Sequence, residues 1–250
     1  VVFDVRTQFS TACEPTDINN KNPCYSPVNY DGLFRGPMTL RNALAQSINI
    51  PAVKTLYLAG LTDTLRLAKA MGISTLGDPG RYGLTLVLGG GEVTLLDISS
   101  AYGVFATDGM RVPPISVLRV EETNGTVIED NERNQGSQVL PRDAAQKIND
   151  ILSDPAAREA LTGGNELFNF SGRDVAMKTG TTNESRDAWT VGYSPSLAVA
   201  VWAGNNDNSS MNEISGLIVA PIWRSFMDVI LEKIPKEQFT APPRTPDDLK

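Results

Sequence analysis

Three strand-like segments follow one another almost without a break in DVAMKTGTTNESRDAWTVGYSPSLAVAVWAGNND, at 174–181, 187–193 and 197–203. The second and third are joined by the tight turn Ser194-Pro195-Ser196. Links this short allow only antiparallel pairing, since a parallel pair needs a crossover of a dozen or more residues. Helical segments interleave with this sheet. Residues 36–60 read as helix, break, helix, with Thr39 as N-cap and Pro51 in the first turn of the second helix. Residues 62–72 read as a third helix, from an N-cap at Thr62 to Gly72. An apolar run at 82–88 leads through a glycine loop into a helix opened by a capping box at Thr94 and Asp97 and closed by Gly109. Asn124-Gly125 reads as a type I′ hairpin turn. Residues 140–162 are helical with a break at Pro155. The helix at 217–234 is apolar over most of its circumference and is expected to pack on the sheet. The fold class is therefore α+β, an antiparallel β-sheet flanked by helices.

The sheet's first segment is notched. Gly180 weakens a strand and marks close approach by a ligand or another backbone. Thr179, Thr181 and Thr182 crowd that spot, and Lys178 presents an ammonium beside it. Lys-Thr-Gly alone recurs by chance, and its bland reading is a strand end with a solvated lysine. With its context, the edge suits an extended peptide docked as an added strand, with Lys178 and Thr181 holding a terminal carboxylate.

Composition narrows the chemistry. The chain has no histidine, which removes Ser-His-Asp and Cys-His catalysis. Two cysteines cannot build a Cys₄ or Cys₂His₂ zinc site, so no metal is expected. Cys13 and Cys24 lie in a polar, Asn/Pro-rich loop, where they either form a small disulfide or remain free thiols. A net charge of −7 without a basic run argues against nucleic acid. No apolar run reaches membrane-spanning length. The chain opens at Val1 with neither Met nor a signal peptide, and the expectation is that more protein precedes it.

Other candidates carry little weight alone. Ser47-Ile48-Asn49 sits at the junction of two helices, where a rigid corner can aim side chains into a cleft. Ser210-Met211-Asn212 repeats the pattern in an Asn/Ser-rich loop, where a turn suffices as explanation. The glycine loop LGGGEVT lacks the Lys-Ser/Thr of a phosphate-binding loop. Glu166 reads as a solvated loop carboxylate.

Together the pieces resemble the transpeptidase domain of a class A penicillin-binding protein, from about residue 30 to 227. YDGLFRGPMTLRNALAQSINIPAVK, LVLGGGEVTLLDISSAYGVFATDG, KTGTTNESRDAWTVGYSP and APIWRSFM resemble family blocks in family order. Of the family's three motifs, Ser47-Ile48-Asn49 matches Ser-x-Asn and Lys178-Thr179-Gly180 matches Lys-Thr-Gly. Ser-x-x-Lys is absent, since no lysine has a serine three residues before it. Met177 stands where family members usually carry glycine or alanine, and strand alternation points it away from the cleft.

The resemblance implies a penicillin-binding, serine transpeptidase fold whose N-terminal part, with the nucleophile, is missing from residues 1–236. Residues 237–250 form a Pro-rich linker. It implies two-step acyl transfer without a cofactor, on peptidoglycan stem peptides ending in D-Ala-D-Ala, with β-lactam antibiotics acylating the same serine. Lys178 supplies a cation that depresses the missing base lysine, Ser47 relays a proton and Asn49 orients the substrate peptide. Thr179, Gly180 and Thr181 bind substrate, the Thr181 N–H forming half of an oxyanion hole. It implies an extracytoplasmic, membrane-anchored protein with an upstream glycosyltransferase domain, and a chain that is inactive alone. The missing helix is expected to leave apolar surface bare, to be covered by a second chain or fragment. The alternatives are a β-lactam sensor, a serine β-lactamase-like domain, or a non-enzymatic peptide-binding module.

Overall fold

The computed structural model describes residues 1–18, 21–131, 136–212 and 214–243, so the end of the expected linker, 244–250, lies outside the described residues. Its centre is one antiparallel sheet of β7 (Ala176–Thr181), β8 (Asp187–Ser194) and β9 (Leu197–Gly204), in that order. The register pairs Met177 with Gly192 and Lys178 with Val191, then Trp189 with Trp202 across β8 and β9. Period-two alternation divides β7 between two cores. Val175 and Met177 pack with Phe168 beneath α7 (Gly216–Leu231), against Trp223 and Met227. Ala176 faces the other way, with Tyr193 and Leu152 among Tyr102 and Phe105. Met177 therefore belongs to the core under α7, on the opposite side of the strand from Lys178.

The second core is fastened by one buried polar chain. The Tyr193 hydroxyl donates to Asn149 Oδ1 at 2.8 Å, and Asn149 Nδ2 donates to the Phe105 carbonyl at 2.9 Å. This links β8 to α5 (Arg142–Leu152) and α4 (Leu95–Ala106). On the opposite face Gly192 makes room for the Trp223 indole, with which any Cβ there would collide. Burial of apolar area on both faces makes β8 the interior strand, and all its residues from Thr190 to Ser194 are buried.

At the front, β1 (Val2–Asp4) pairs with β2 (Gly36–Met38), and the described residues between them, 5–18 and 21–35, form a loop. A disulfide joins Cys13 to Cys24 in that loop. α1 (Leu40–Ala45) starts at Thr39, whose hydroxyl accepts the Asn42 N–H, and α2 (Asn49–Ala59) carries Pro51 in its first turn. α3 (Leu61–Met71) takes its N-cap at Gly60, two residues before the expected Thr62. Gly60, at φ +83, ends α2 and starts α3 together.

The apolar run before the glycine loop forms a 3₁₀ helix at Leu84–Leu88. Two other expectations shift. Thr94 caps α4 by accepting the Asp97 N–H, but the Asp97 carboxylate turns to the N–H and hydroxyl of Ser74 instead of closing the capping box. The hairpin of β4 (Arg119–Glu121) and β5 (Val127–Asp130) uses Gly125 at φ +87, whereas Asn124 stays outside the left-handed region. Gly125 donates its N–H to Glu122 O, giving a type I turn with a glycine bulge rather than type I′. A short pairing of β3 (Met110–Arg111) with β6 (Ser137–Gln138) and the helix α6 (Pro155–Thr162), which follows the break after α5, complete the order.

The outer edges of β7 and β9 have no strand partner among the described residues. α7 turns a second apolar stripe outward, with Ile218, Ile222, Phe226 and Val229 each 53–63% exposed. Among the described residues no helix is long and apolar enough to cross a membrane.

Candidate active site

The corner between α1 and α2 is built to project one hydroxyl. Ser47 takes φ +59, a left-handed conformation that is uncommon for a non-glycine residue and that clusters at functional sites. It is held because Ser47 N–H donates to Leu44 O and Ile48 N–H to Ala43 O, stapling the corner to α1. Asn49 follows as the first residue of α2. Its Nδ2 donates to the Val28 carbonyl at 2.9 Å, and its Oδ1 has no protein partner among the described residues.

Lys178 reaches this corner from β7. Its Nζ donates to Ser47 Oγ at 2.7 Å and to the Thr179 carbonyl at 2.9 Å. Both acceptors are neutral oxygens. Desolvation without a compensating carboxylate lowers the Lys178 pKa from 10.5 to about 8. A desolvated ammonium beside a hydroxyl attracts an incoming anion strongly, because the low local dielectric magnifies the charge.

The backbone of β7 supplies further groups. Thr182 donates its N–H to Asp187 O, so residue 182 is paired toward β8. In an antiparallel ladder that orientation alternates, which turns the Thr181 N–H and the Thr179 carbonyl to the free edge. The side chains of Thr179 and Thr181 fall on the α7 side, opposite Lys178. There Thr181 Oγ1 accepts the N–H of Gly216, the first residue of α7, at 3.1 Å, which leaves the hydroxyl proton available. Gly216 fits only without a side chain, since a Cβ would stand 2.8 Å from the Gly180 carbonyl. Gly89, at φ +97, brings the glycine loop against Thr182.

The structure thus brings Lys178 to Ser47, two residues before Asn49, with the Thr181 N–H on the free edge of the same strand. Glu166 is exposed at the start of a 3₁₀ turn, and Ser210-Met211-Asn212 forms a local turn in which Ser210 Oγ accepts the Asn212 N–H. Among the described residues Cys13, Asp17 and Cys24 cluster closely enough to hold an ion, and the disulfide leaves no thiolate for one. Sequence reasoning did not single out Gly216 or Asn29, whose amide oxygen meets the start of α2. Nothing in the local pattern marks either one.

Known proteins resemble this chain over most of its length. Residues 5–228 match the family model described as the penicillin-binding protein transpeptidase domain. Penicillin-binding protein 1A of Aquifex aeolicus is 36% identical over 242 residues, covering 95% of this chain and 32% of the relative. Penicillin-binding protein 2D of Bacillus subtilis is 34% identical over 233 residues, covering 90% and 33%. The chain therefore spans about a third of the length of these relatives. Among solved structures, the PonA1 protein from Mycobacterium tuberculosis in complex with penicillin V superposes with a TM-score of 0.76 at 28% identity. That match covers 88% of this chain and 63% of PonA1. This chain belongs to the penicillin-binding protein transpeptidase family.

Proposed function

We propose that this chain contributes the Ser-x-Asn and Lys-Thr-Gly walls of a D,D-transpeptidase centre that cross-links peptidoglycan stem peptides and is acylated by β-lactams. The observation that carries the reading is the 2.7 Å hydrogen bond from Lys178 Nζ to Ser47 Oγ beside an open strand edge. A stem peptide ending in D-Ala-D-Ala lies along β7 as an added strand, its terminal carboxylate drawn to the Lys178 ammonium. Asn49 fixes the peptide bond through its uncommitted amide oxygen.

The nucleophilic serine and its lysine come from a segment outside these residues, since the sequence holds no Ser-x-x-Lys. With no histidine available, lysine must act as the base, and a second cation nearby keeps that lysine neutral enough to do so. The serine oxygen adds to the carbonyl of the penultimate D-Ala, and the oxyanion meets the Thr181 N–H. The C–N bond then breaks, and Ser47 passes a proton to the departing amine. An amine from a neighbouring stem peptide attacks the acyl-enzyme and releases the serine. A β-lactam follows the first half, its ring amide opening in place of the peptide bond.

On this reading the complete protein is anchored outside the cytoplasm with a glycosyltransferase domain upstream. The rest of the transpeptidase domain covers the outer stripe of α7. The test is labelling with fluorescent penicillin. The protein expressed from its complete coding sequence should become covalently labelled on a serine, and Lys178→Ala should slow labelling about a hundredfold or more, in keeping with the loss of an electrostatic contact to developing charge. An unlabelled complete protein would refute the reading.

A further inference from the structure

α2 begins without a cap of its own. Ile48 occupies the N-cap position and offers no side-chain acceptor, yet the helix's first N–H groups need partners. They find one 20 residues upstream. Asn29 Oδ1 accepts the N–H of Asn49 at 3.0 Å and that of Ile50 at 3.3 Å. The neighbouring Val28 carbonyl takes the Asn49 side chain, so one dipeptide grips Asn49 by both backbone and side chain.

Asn29 is itself locked. Its Nδ2 points at the Asp4 carboxylate, 2.8 and 2.9 Å from the two oxygens, and donates to Leu33 O at 2.6 Å. Asp4 is fully buried, and Asn29 is 3% exposed. A carboxylate is costly to bury unless its hydrogen bonds are met. Here the Arg35 N–H adds a further one at 2.9 Å, and the Arg35 guanidinium stands 3.9 Å away. Asp4 comes from β1, so the strand pair at the front of the chain is connected through Asn29 to the helix start that carries Asn49 and follows Ser47.

We infer that Asn29, oriented by the buried Asp4, is a positioning residue for the Ser47–Asn49 corner. Asn29 does not reach Lys178 or the substrate. It sets where α2 starts, and thereby the φ +59 turn at Ser47 and the direction of the Asn49 amide. An amide is required because one side chain must donate to a carboxylate and accept from two N–H groups at once. The assignment rests on the acyl-transfer reading above.

The test compares acylation by fluorescent penicillin in the protein made from its complete coding sequence, separating labelled fraction from rate. A misplacement of about 1 Å costs up to about 10²-fold in rate, so Asn29→Ala and Asn29→Asp should each slow acylation of the labelled population by roughly tenfold or more. Asn29→Asp fails because it sets a second carboxylate against Asp4. The exchange Asp4→Asn with Asn29→Asp restores a donor facing an acceptor between the two positions and keeps one carboxylate in the pair beside Arg35, but it loses the bond to the Leu33 carbonyl. It should be several-fold faster than Asn29→Asp without reaching the parental rate. Variants that lose only labelled fraction, with the remainder reacting at the parental rate, would show a merely structural contact and overturn the assignment. An exchange variant no faster than Asn29→Asp would overturn it too. A parent protein that takes no label refutes the acyl-transfer reading, and this assignment with it.

Discussion

Lys178 and Ser47, 131 residues apart in the chain, meet through a 2.7 Å hydrogen bond. One comes from the notched strand of the sheet, the other from the corner of a helix pair. Their approach is what joins the helical front of the chain to the sheet in a single centre.

The charge on Lys178 is available only below its lowered pKa. With the pKa moved from 10.5 to about 8, the ammonium is present below pH 8 and lost as pH rises through it. Acylation by a carboxylate-bearing β-lactam should fall above about pH 8 in the complete protein. Lys178→Arg, which stays charged, should lose that fall whatever its absolute rate. A parental profile that is flat to pH 9.5 would contradict the assignment. Stability runs the other way. Between about pH 8 and 10.5 the unfolded lysine binds the proton that the folded one has released, so folding gains with pH in that window, and Lys178→Met should remove the gain.

Gly192→Ala should destabilise the sheet. The added methyl meets the Trp223 indole, and overpacking of this kind costs about 1–3 kcal/mol. For a domain of this size each kcal/mol lowers the melting temperature by about 2–4 °C. A melting curve identical to the parent's would show that Trp223 does not sit over Gly192.

The outward stripe of Ile218, Ile222, Phe226 and Val229 should make the 250-residue chain self-associate when it is produced alone. Sedimentation should show concentration-dependent species that Ile222→Glu with Phe226→Glu disperses. The same pair of changes should destabilise the complete protein, where the stripe is covered. A stable monomer of the unaltered 250-residue chain would count against a covering segment.

Penicillin should leave the 250-residue chain unlabelled, because no Ser-x-x-Lys is present in it. The check is intact-mass measurement after incubation. A covalent adduct would place a nucleophile within these residues and overturn the division of labour proposed here.

The legible parts of this protein are those where the signal is local. Alternation of apolar residues on either side of Lys178 gives both the strand and the side from which the lysine emerges. The break between two helical patterns at Ser47-Ile48-Asn49 marks the corner. Local signals also mislead locally. Asn124-Gly125 suggests a type I′ turn, but only Gly125 enters the left-handed region, because the bulge absorbs the strand twist. Thr62 resembles a cap, yet Gly60 serves both adjoining helices. Asn29 was invisible because its partners Asp4 and Asn49 lie 25 and 20 residues away, and only the folded chain brings them together. The cap of α2 is tertiary, and no window around Ile48 contains it.

The most direct measurement is a crystal structure of the complete protein reacted with penicillin V. The acyl carbonyl oxygen should lie within hydrogen-bond distance of the Thr181 N–H. Ser47 and Asn49 should line the other side, and the drug's carboxylate should lie at the Lys178 end of β7. A covalently bound penicillin seated away from Lys178 and Ser47 would contradict the account.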